Sequence, residues 1–268
     1  MSAAATLTGT VAFVTGGGRG LGRGIAQALA QAGAGVAVAA RSLPQIEETA
    51  AAITAAGGRA IAVSCDVTDA RSVNAAFAQV GETLGAPTLL VNNAGVQGPL
   101  GPLGDVDPAA WWAAQQVHIL GALHCVTAAL PAMLKAGQGR ILSIASQAGT
   151  FVAPNASAYA VAKAGLIRLT EHIDAERRAS GVRAFALQPG TILTDMSAQT
   201  LSSPDARDHA APLVALLESV TPQASAAAME KLQAFAVDLA RGRYDALAGR
   251  YLDIDWDLAA MLAGEARA

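Results

Sequence analysis

Tyr159 and Lys163 stand four residues apart, a spacing that places both side chains on one face of a helix. A tyrosine with a pKa of about 10 is a poor acid at neutral pH, but a nearby ammonium group stabilises phenolate and lowers that pKa. With three tyrosines and three lysines in 268 residues, chance would produce such a pair about 0.03 times, so chance explains it poorly. The pair predicts a proton donor; the alternative is an ordinary amphipathic helix whose lysine reaches solvent.

A glycine-rich turn lies near the start of the chain, between an apolar run and an alanine-rich segment. Residues 10–15 are rich in β-branched side chains and predict a buried strand, and apolar positions at helical spacing follow up to Gly33. A strand that turns through glycines into a helix exposes backbone N–H groups and the positive end of the helix dipole, where a phosphate binds. Glycine is needed because a side chain would hold a pyrophosphate away from the backbone. The alternative is a tight connection without a ligand.

Five motifs follow one another in an order that is typical of a known family. The turn departs from the generic Gly-x-Gly-x-x-Gly spacing and has the form Thr-Gly-x-x-x-Gly-x-Gly. The motifs are Thr15-Gly16-x-x-x-Gly20-x-Gly22, Asn92-Asn93-Ala94-Gly95, Ser146 after an apolar run, Tyr159 with Lys163, and Pro189-Gly190 followed by Thr194. Together they resemble the short-chain dehydrogenase/reductase family, closely over roughly residues 8 to 196 and loosely beyond them.

The resemblance implies a catalytic set and a site for a nicotinamide dinucleotide. Tyr159 would move the proton on the substrate oxygen, Ser146 would hydrogen-bond that oxygen, and Lys163 would hold the nicotinamide ribose. Asp66 would contact the adenine, although it could equally cap the turn at Val67 and Thr68. The positions that match the family's cofactor contacts are Thr15, Gly16, Arg19, Gly20, Leu21, Gly22, Arg41, Asp66, Val67, Asn93, Ala94, Gly95, Tyr159, Lys163, Pro189, Gly190, Ile192 and Thr194.

The end of the second predicted strand bears on the choice between NADP(H) and NAD(H). NAD-binding folds place an acidic residue about 20 positions past the glycines for the ribose 2′-hydroxyl, whereas an arginine nearby accommodates a 2′-phosphate. Ala40 and Arg41 occupy those positions, the next acid is Glu47, and Arg19 in the turn can approach the same phosphate. These residues favour NADP(H), with NAD(H) possible because a surface arginine at a strand end is also common.

His118 departs from the family pattern at the expected fourth catalytic position. The family usually has an asparagine in the long helix, seven residues after a tryptophan, and here His118 is seven residues after Trp111. By resemblance, that asparagine supports a water that relays protons to the lysine, and a neutral histidine also offers a donor and an acceptor. We expect His118 to take over this support and, with an ordinary pKa of about 6.5, to add an acid-side limb to the pH–rate profile. The alternative is a partly buried histidine that only satisfies local hydrogen bonds.

The elements that must hold these residues alternate regularly along the chain. Predicted strands occupy residues 10–15, 35–40, 59–65, 88–92, 140–145, 183–187 and 250–254, with helices between them. This alternation predicts the α/β class and a single doubly wound Rossmann-type domain over residues 1–268, with a central parallel sheet of about seven strands and helices on both faces.

Three segments have individual expectations. A long helix should begin at Pro108, continue to Leu134 and bend at Pro131. Residues 191–224, rich in Ser, Pro and Asp, should form an irregular substrate lid. Residues 250–268 should supply the last strand and a C-terminal tail with a short apolar helix at 258–263 that packs on a neighbouring subunit.

Composition restricts the remaining classes. The net charge of −3 and the pI near 5.8 offer no basic surface for nucleic acid. Cys65 and Cys125 are too few for a disulfide framework and lack metal-ligand spacing, which favours buried thiols in a reducing cytoplasm. The first residues show no export signal, and His118, His124 and Pro131 interrupt the most apolar stretch, so it predicts a buried helix rather than a membrane span. The histidines form no cluster, and no metal site is expected.

The sequence as a whole predicts an NADP(H)-dependent oxidoreductase that transfers hydride between nicotinamide and a carbonyl or secondary alcohol. The alternative is a non-catalytic NADP(H)-binding sensor, which the intact Ser146, Tyr159 and Lys163 set disfavours and which His118 leaves open. By family resemblance the long fourth and fifth helices would pair in a homodimer or homotetramer. A small, largely apolar substrate is indicated by Met196, Leu201, Pro212 and Leu213 in the lid and by Phe151 and Val152 after Ser146.

Overall fold

A parallel sheet forms the centre of the molecule. The structure, a computed structural model, describes residues 6–264; the first five residues of the predicted domain and the last four of its tail lie outside this range. Within it, seven strands pair in parallel in the order β3-β2-β1-β4-β5-β6-β7. They are β1 (Val11–Thr15), β2 (Gly35–Ala40), β3 (Arg59–Ser64), β4 (Leu89–Asn92), β5 (Gly139–Ile144), β6 (Val182–Gln188) and β7 (Tyr251–Asp253). The predicted fold class is confirmed, and every predicted strand end lies within one residue of its observed position.

Helices cover both faces of the sheet. In chain order they are α1 (Gly20–Gln31), α2 (Leu43–Ala55), α3 (Ala70–Thr83), α4 (Pro108–Gln115), α5 (Gly121–Ala136), α6 (Ser157–Arg177), α7 (Asp195–Ser202), α8 (Pro204–His209), α9 (Ala211–Ser219), α10 (Pro222–Ala240) and α11 (Leu258–Ala263). One apolar core includes side chains of α1, α2, α10 and α11, and the other includes side chains of α3, α5 and α6. The predicted helix at 258–263 is present, and its Leu258 and Met261 are buried in the chain's own core.

Side chains alternate along β1, which explains why both faces must be covered. Ala12 and Val14 belong to the core with α1 and α10, whereas Phe13 belongs to the core with α3. Phe13 stacks on Phe77 of α3 with ring centroids 4.2 Å apart. A strand that is apolar on both sides is stable only between two layers of helices.

The long helix predicted from Pro108 continues to Ala136 but changes its winding. A π-helical stretch, Gln116–Leu120, joins α4 to α5. Pro131 lies inside α5, and the irregular turn is instead centred on His118. Short π-helical turns inside α-helices are frequent at functional sites.

This helix also passes a simple test for a membrane span. Among residues 6–264, the 29-residue helix Pro108–Ala136 is long and apolar enough to cross a bilayer. Of its apolar 18-residue segment, 39% is buried inside the fold. Core helices pass the same test, so length and composition are weak grounds for a span. Leu120 and Leu123 remain exposed on its surface.

The segment predicted as the least regular, residues 191–224, is mostly helical. It contains α7, α8, α9 and the start of α10. Thr194 and Ser197 cap α7 reciprocally, and the hydroxyl of Ser203 caps α8. The serines and prolines that predicted irregular chain therefore serve as helix caps and first-turn residues.

The turn into β6 depends on a glycine. Gly181 has φ of +81°, and a Cβ there would overlap the carbonyl oxygen of Gly137. Gly57 has a similar φ of +84°, but a Cβ there would meet no atom within 4 Å. A side chain at Gly57 would therefore meet only the cost of a left-handed backbone, whereas a side chain at Gly181 would also clash with Gly137.

We expect Gly181→Ala to destabilise the protein more than Gly57→Ala. Gly57→Ala should lower the free energy of unfolding by about 1 kcal/mol, because only the left-handed conformation is penalised. Gly181→Ala should cost at least about 2 kcal/mol more, since the backbone must also move away from Gly137. Urea unfolding of both variants measures the difference, and equal losses would contradict this packing of Gly181 on Gly137.

Candidate functional site

The hydroxyl of Thr15 joins the carboxyl ends of β1 and β4. It donates to the carbonyl of Val91, with an Oγ1–O distance of 3.1 Å, and accepts from the backbone N–H groups of Asn93 and Ala94 at 2.9 and 3.0 Å. The Asn93 side-chain amide donates to the carbonyl of Thr15 at 2.8 Å. These bonds fix two turns at the point where the strand order reverses, which is where doubly wound sheets bind ligands.

The glycines of the β1–α1 turn leave no room for side chains. A Cβ at Gly22 would overlap the carbonyl of Gly16, and a Cβ at Gly16 would lie 2.8 Å from Nδ2 of Asn93. Arg19 is the N-cap residue of α1, its side chain caps no backbone N–H group, and the first turn carries no acid. Uncapped N–H groups at the positive end of the helix dipole suit an anion.

A cleft of about 440 Å³ extends over this helix end. Seven of the predicted cofactor residues do not line it: Thr15, Gly22, Tyr159, Lys163, Pro189, Gly190 and Ile192. The predicted cofactor residues that line it are Gly16, Arg19, Gly20, Leu21, Arg41, Asp66, Val67, Asn93, Ala94, Gly95 and Thr194.

Two arginines and two aspartates are the charged side chains that line the cleft within residues 6–264. Nη1 of Arg19 lies 3.0 Å from Oδ2 of Asp195, and both side chains are at least half exposed. Burial raises the pKa of Asp66, but hydrogen bonds from Thr68 and the charge of Arg41 hold it below its ordinary value. Asp66 therefore caps the turn through Thr68 and also lines the cleft, and the adenine contact stays a prediction.

Ser146, Tyr159 and Lys163 come together beyond the end of β5. The hydroxyl of Ser146 accepts from the N–H of Ala148 at 3.2 Å and is hydrogen-bonded to the Tyr159 side chain. Nζ of Lys163 donates to the carbonyl of Ile144 at 2.7 Å and lies 5.4 Å from the centroid of the Tyr159 ring. Both Tyr159 and Lys163 project from α6, as their spacing predicts.

Burial controls the proton affinity of this pair. It raises the pKa of Tyr159 above its ordinary value, and the hydrogen bond with Ser146 offsets only part of that effect. It lowers the pKa of Lys163, which is 4% exposed, to about 7. The predicted lowering of the tyrosine pKa by Lys163 is therefore wrong for this geometry, because the ammonium contacts the ring and donates to Ile144.

His118 is buried between the cleft and Tyr159. Its Nε2 lies 2.8 Å from the carbonyl oxygen of Val96, and its ring meets the Tyr159 ring edge-on with centroids 5.7 Å apart. A Cβ at Gly95 would lie 2.6 Å from Cε1 of His118, so the glycine makes this close approach possible. Burial, followed by the charge of Lys163, lowers the pKa of His118 to about 3. The acid-side limb expected from an ordinary histidine is therefore wrong for pH values of about 5 to 9.

The other ring nitrogen of His118 is not engaged by protein groups. Its Nδ1 has no hydrogen-bond partner among the described residues. Nε2 lies 2.8 Å from the carbonyl oxygen of Val96 and 3.2 Å from its backbone nitrogen, so it can donate to the first or accept from the second, and Nδ1 is then an acceptor or a donor respectively. A cavity of about 10 Å³, close to the volume that one water needs, adjoins the ring and is also lined by Thr15 and Asn92.

The residues predicted to form an apolar substrate pocket do not come together in the structure. Leu201 and Leu213 pack inside the lid, in a small core with Leu100 and Val214. Met196 lines the dinucleotide cleft, and Pro212 is exposed. Phe151 and Val152 are 57% and 88% exposed on the loop after Ser146.

Asn155 joins that loop to the lid. Its Nδ2 donates to the carbonyl of His209 at the end of α8 at 2.8 Å, and its own carbonyl accepts from the N–H of Gly101 at 2.8 Å. Asn155 therefore links three segments, the loop after Ser146, the lid and the loop at Gly101. For the part of the chain that the structure covers, no group of three or more His, Cys, Asp or Glu side chains is arranged to hold a metal ion.

Sequence reasoning missed several residues that line the cleft, including Gln45, Val96 and Asp195. Asp195 follows Thr194, which caps α7, so an acid directly after a residue that can cap a helix was the available signal. Gln45 and Val96 carry no such signal, because only the packing of α2 and of the loop after β4 brings them to the cleft.

Comparisons with known proteins agree with this geometry. The sequence model of the family described as short chain dehydrogenase matches residues 10–205. The chain is 36% identical over 261 residues to short chain dehydrogenase mpl6 of Monascus purpureus, covering 95% of this chain and 84% of that protein.

Two solved structures share the fold over nearly the whole chain. One is a gluconate 5-dehydrogenase from Burkholderia cenocepacia J2315 in complex with NADP and tartrate, with a TM-score of 0.80 and 28% identity over 95% of this chain and 97% of that chain. The other is an NAD+-bound xylitol dehydrogenase, with a TM-score of 0.80 and 25% identity over 92% and 98%. The chain therefore belongs to the short-chain dehydrogenase/reductase family, whose nicotinamide-dependent oxidoreductases act on alcohols and carbonyls.

Proposed function

We propose that this protein is an NADP(H)-preferring enzyme that interconverts a carbonyl and a secondary alcohol on a small, largely apolar substrate. The observation that carries the proposal is a continuous set of contacts from cleft to proton donor. Gly95 lines the cleft and packs on His118, and the His118 ring meets the ring of Tyr159, which is hydrogen-bonded to Ser146. These contacts support Tyr159 as a proton donor that acts next to a dinucleotide bound in the cleft.

In this proposal the side chains handle the proton and the bound nicotinamide supplies or accepts hydride at C4. Tyr159 is protonated at neutral pH because burial raises its pKa, and this is the form that donates a proton to a ketone oxygen. Ser146 orients that oxygen and stabilises the phenolate left behind. General acid catalysis of this kind contributes about 10²- to 10⁴-fold, and positioning of the reactants supplies much of the rest.

The cleft fits a dinucleotide with a 2′-phosphate. The uncapped N-terminus of α1 suits the pyrophosphate, and Arg19 and Arg41 offer two guanidinium groups on the walls. Asp66 stays ionised and could accept from the adenine amino group. Lys163 would hold the nicotinamide ribose. Structural relatives include both an NADP complex and an NAD+ complex, so NAD(H) remains the possible second cofactor.

His118 is proposed to support the water that relays protons to Lys163. Its unpartnered Nδ1 and the adjoining small cavity support this role. With a pKa of about 3 the ring stays neutral, so in this proposal it hydrogen-bonds the water without titrating.

We also propose one domain over the whole chain, with residues 191–224 as its lid, and a homodimer or homotetramer. Exposed apolar side chains on α4, α5 and α6 support self-association: Trp112 is 60%, Leu123 42% and Val161 47% exposed.

Two buried free thiols, Cys65 and Cys125, support a reducing compartment such as the cytoplasm.

Removing the phenol hydroxyl should abolish most turnover. Tyr159→Phe should lower kcat by about 10²-fold or more with little change in the Kd of NADPH, because the ring remains and only the proton donor is lost. Steady-state assays on a ketone panel and fluorescence titration measure the two quantities. The matched control is Tyr244→Phe, which removes the hydroxyl of a ring that stacks on Phe235 outside the site. This variant should retain activity. Retained turnover in Tyr159→Phe would refute the assignment, and tight NADPH binding by a wild type without turnover would favour the sensor.

Reversing the charge of Arg41 should weaken NADPH selectively. Arg41→Asp removes a charge-assisted partner and opposes the 2′-phosphate with like charge, so the Kd of NADPH should rise roughly 10-fold or more while that of NADH changes less. Arg71→Asp makes the same charge change on a 97% exposed side chain of α3 and should leave both affinities unchanged. A wild type that prefers NADH in kcat/KM would show that the arginine argument is wrong.

Replacing Lys163 should stabilise the protein while inactivating it. The folded-state pKa of about 7 lies below the ordinary value of 10.5, so between these pH values the unfolded wild type binds a proton that the folded protein does not. The stability advantage of Lys163→Met over wild type should therefore grow as pH falls from about 10 to 7, by up to about 1.4 kcal/mol per pH unit. Urea unfolding at several pH values measures it, with Lys135→Met, on the exposed end of α5, as the control that shows no trend. An advantage that shrinks as pH falls would contradict the burial argument.

A further inference from the structure

Asp195 forms an ion pair with Arg19, one of the two arginines on which the proposed preference for NADP(H) rests. Arg19 lies at the N-terminus of α1 and Asp195 is the first residue of α7. Both side chains line the dinucleotide cleft, and Nη1 of Arg19 donates to Oδ2 of Asp195 at 3.0 Å. They are 50% and 61% exposed, so the pair lies at the mouth of the cleft, open to solvent.

The first turns of α1 and α7 lie side by side at this mouth. A Cβ on Gly20 would lie 3.2 Å from Cγ2 of Thr194, the residue that caps α7. Each helix presents the positive end of its dipole there. The Asp195 carboxylate therefore has the partners that a phosphate would seek, a guanidinium and a helix N-terminus.

The second arginine of the cleft, Arg41, also has an acid within electrostatic range. The charge of Arg41 acts on Asp66, whose carboxylate also lines the cleft. The cleft residues that the structure describes therefore have a net charge of zero, from two arginines and two aspartates. Asp195 contacts Arg19 only through Nη1, so a 2′-phosphate that binds Arg19 would either displace the carboxylate or share the guanidinium with it and meet its negative charge.

We propose that Asp195 is a specificity-determining residue that weakens NADP(H) relative to NAD(H), because its carboxylate competes with the 2′-phosphate for Arg19. The inference rests on the proposed function, since both nucleotides must enter this cleft. Asp195 acts through Arg19 and not through the reacting atoms. The competing interpretation is that the ion pair only holds the lid against the glycine turn, in which case it would affect both nucleotides equally.

The ratio of the two dissociation constants tests the proposal. Kd values for NADPH and NADH would be measured by titration of the full chain for wild type, Asp195→Asn, Arg19→Ala and the double variant. Asp195→Asn should tighten NADPH about two- to five-fold, the range expected when an exposed ion pair no longer has to be broken, and should leave NADH nearly unchanged. In the Arg19→Ala background, Asp195→Asn should no longer change the ratio, because the residue for which it competes is absent.

A matched control and three outcomes decide the question. Asp205→Asn removes the same charge from an exposed position on α8 outside the cleft lining, and it should leave both constants unchanged. The proposal is overturned if Asp195→Asn tightens both nucleotides equally, if Asp205→Asn shifts the ratio as strongly, or if the shift persists without Arg19. A wild type that binds both nucleotides but reduces no ketone would refute the proposed reaction while the ratio still tests Asp195, and a wild type that binds neither would refute both.

Discussion

One buried hydroxyl holds the two halves of the site in register. Thr15 is 2% exposed, and its Oγ1 makes three hydrogen bonds that join the end of β1 to the turn after β4. At this point the chain connections leave the sheet in opposite directions, so the backbone groups of the two turns have no neighbouring strand to bind. The threonine replaces that missing partner. It positions both the glycine turn that lines the cleft and the Gly95 segment that leads to His118.

Burial then sets the chemistry of the side chains beyond the cleft. Lys163 and His118 are 4% and 2% exposed, and desolvation lowers the pKa of both groups. For Tyr159 the same desolvation favours the neutral phenol. The protein therefore keeps three titratable groups close together in forms that carry less charge than they would in water, which reduces the electrostatic cost of packing them. A bound dinucleotide would enter a site whose charges are balanced at the cleft walls and suppressed at the catalytic end.

The strands and the Tyr159–Lys163 pair could be predicted because their signals are local. Apolar runs bounded by glycine mark buried strands, and a spacing of four residues places two side chains on one helix face. The helices of the lid were missed because Ser and Pro are also turn residues, and they act as caps only when the next residues of the chain form a helix. The pKa of His118 could not be predicted, since it results from burial against Gly95. The Arg19–Asp195 pair joins residues 176 positions apart, a contact that depends on the complete fold.

The π-helical stretch at Gln116–Leu120 has a consequence for the angular phase of the long helix. Before it, the side chains of Trp111 and Gln115 hydrogen-bond to the first turn of α6; after it, Cys125 and Met133 pack on the sheet. Each residue of an α-helix advances by about 100°, so one extra residue in a turn rotates the rest of the helix by that amount. One continuous helix can therefore face two partners with side chains whose spacing in the sequence departs by one residue from the regular helical repeat. The phase shift falls on the residue whose ring contacts Tyr159, so helix packing and side-chain placement at His118 are adjusted by the same inserted residue.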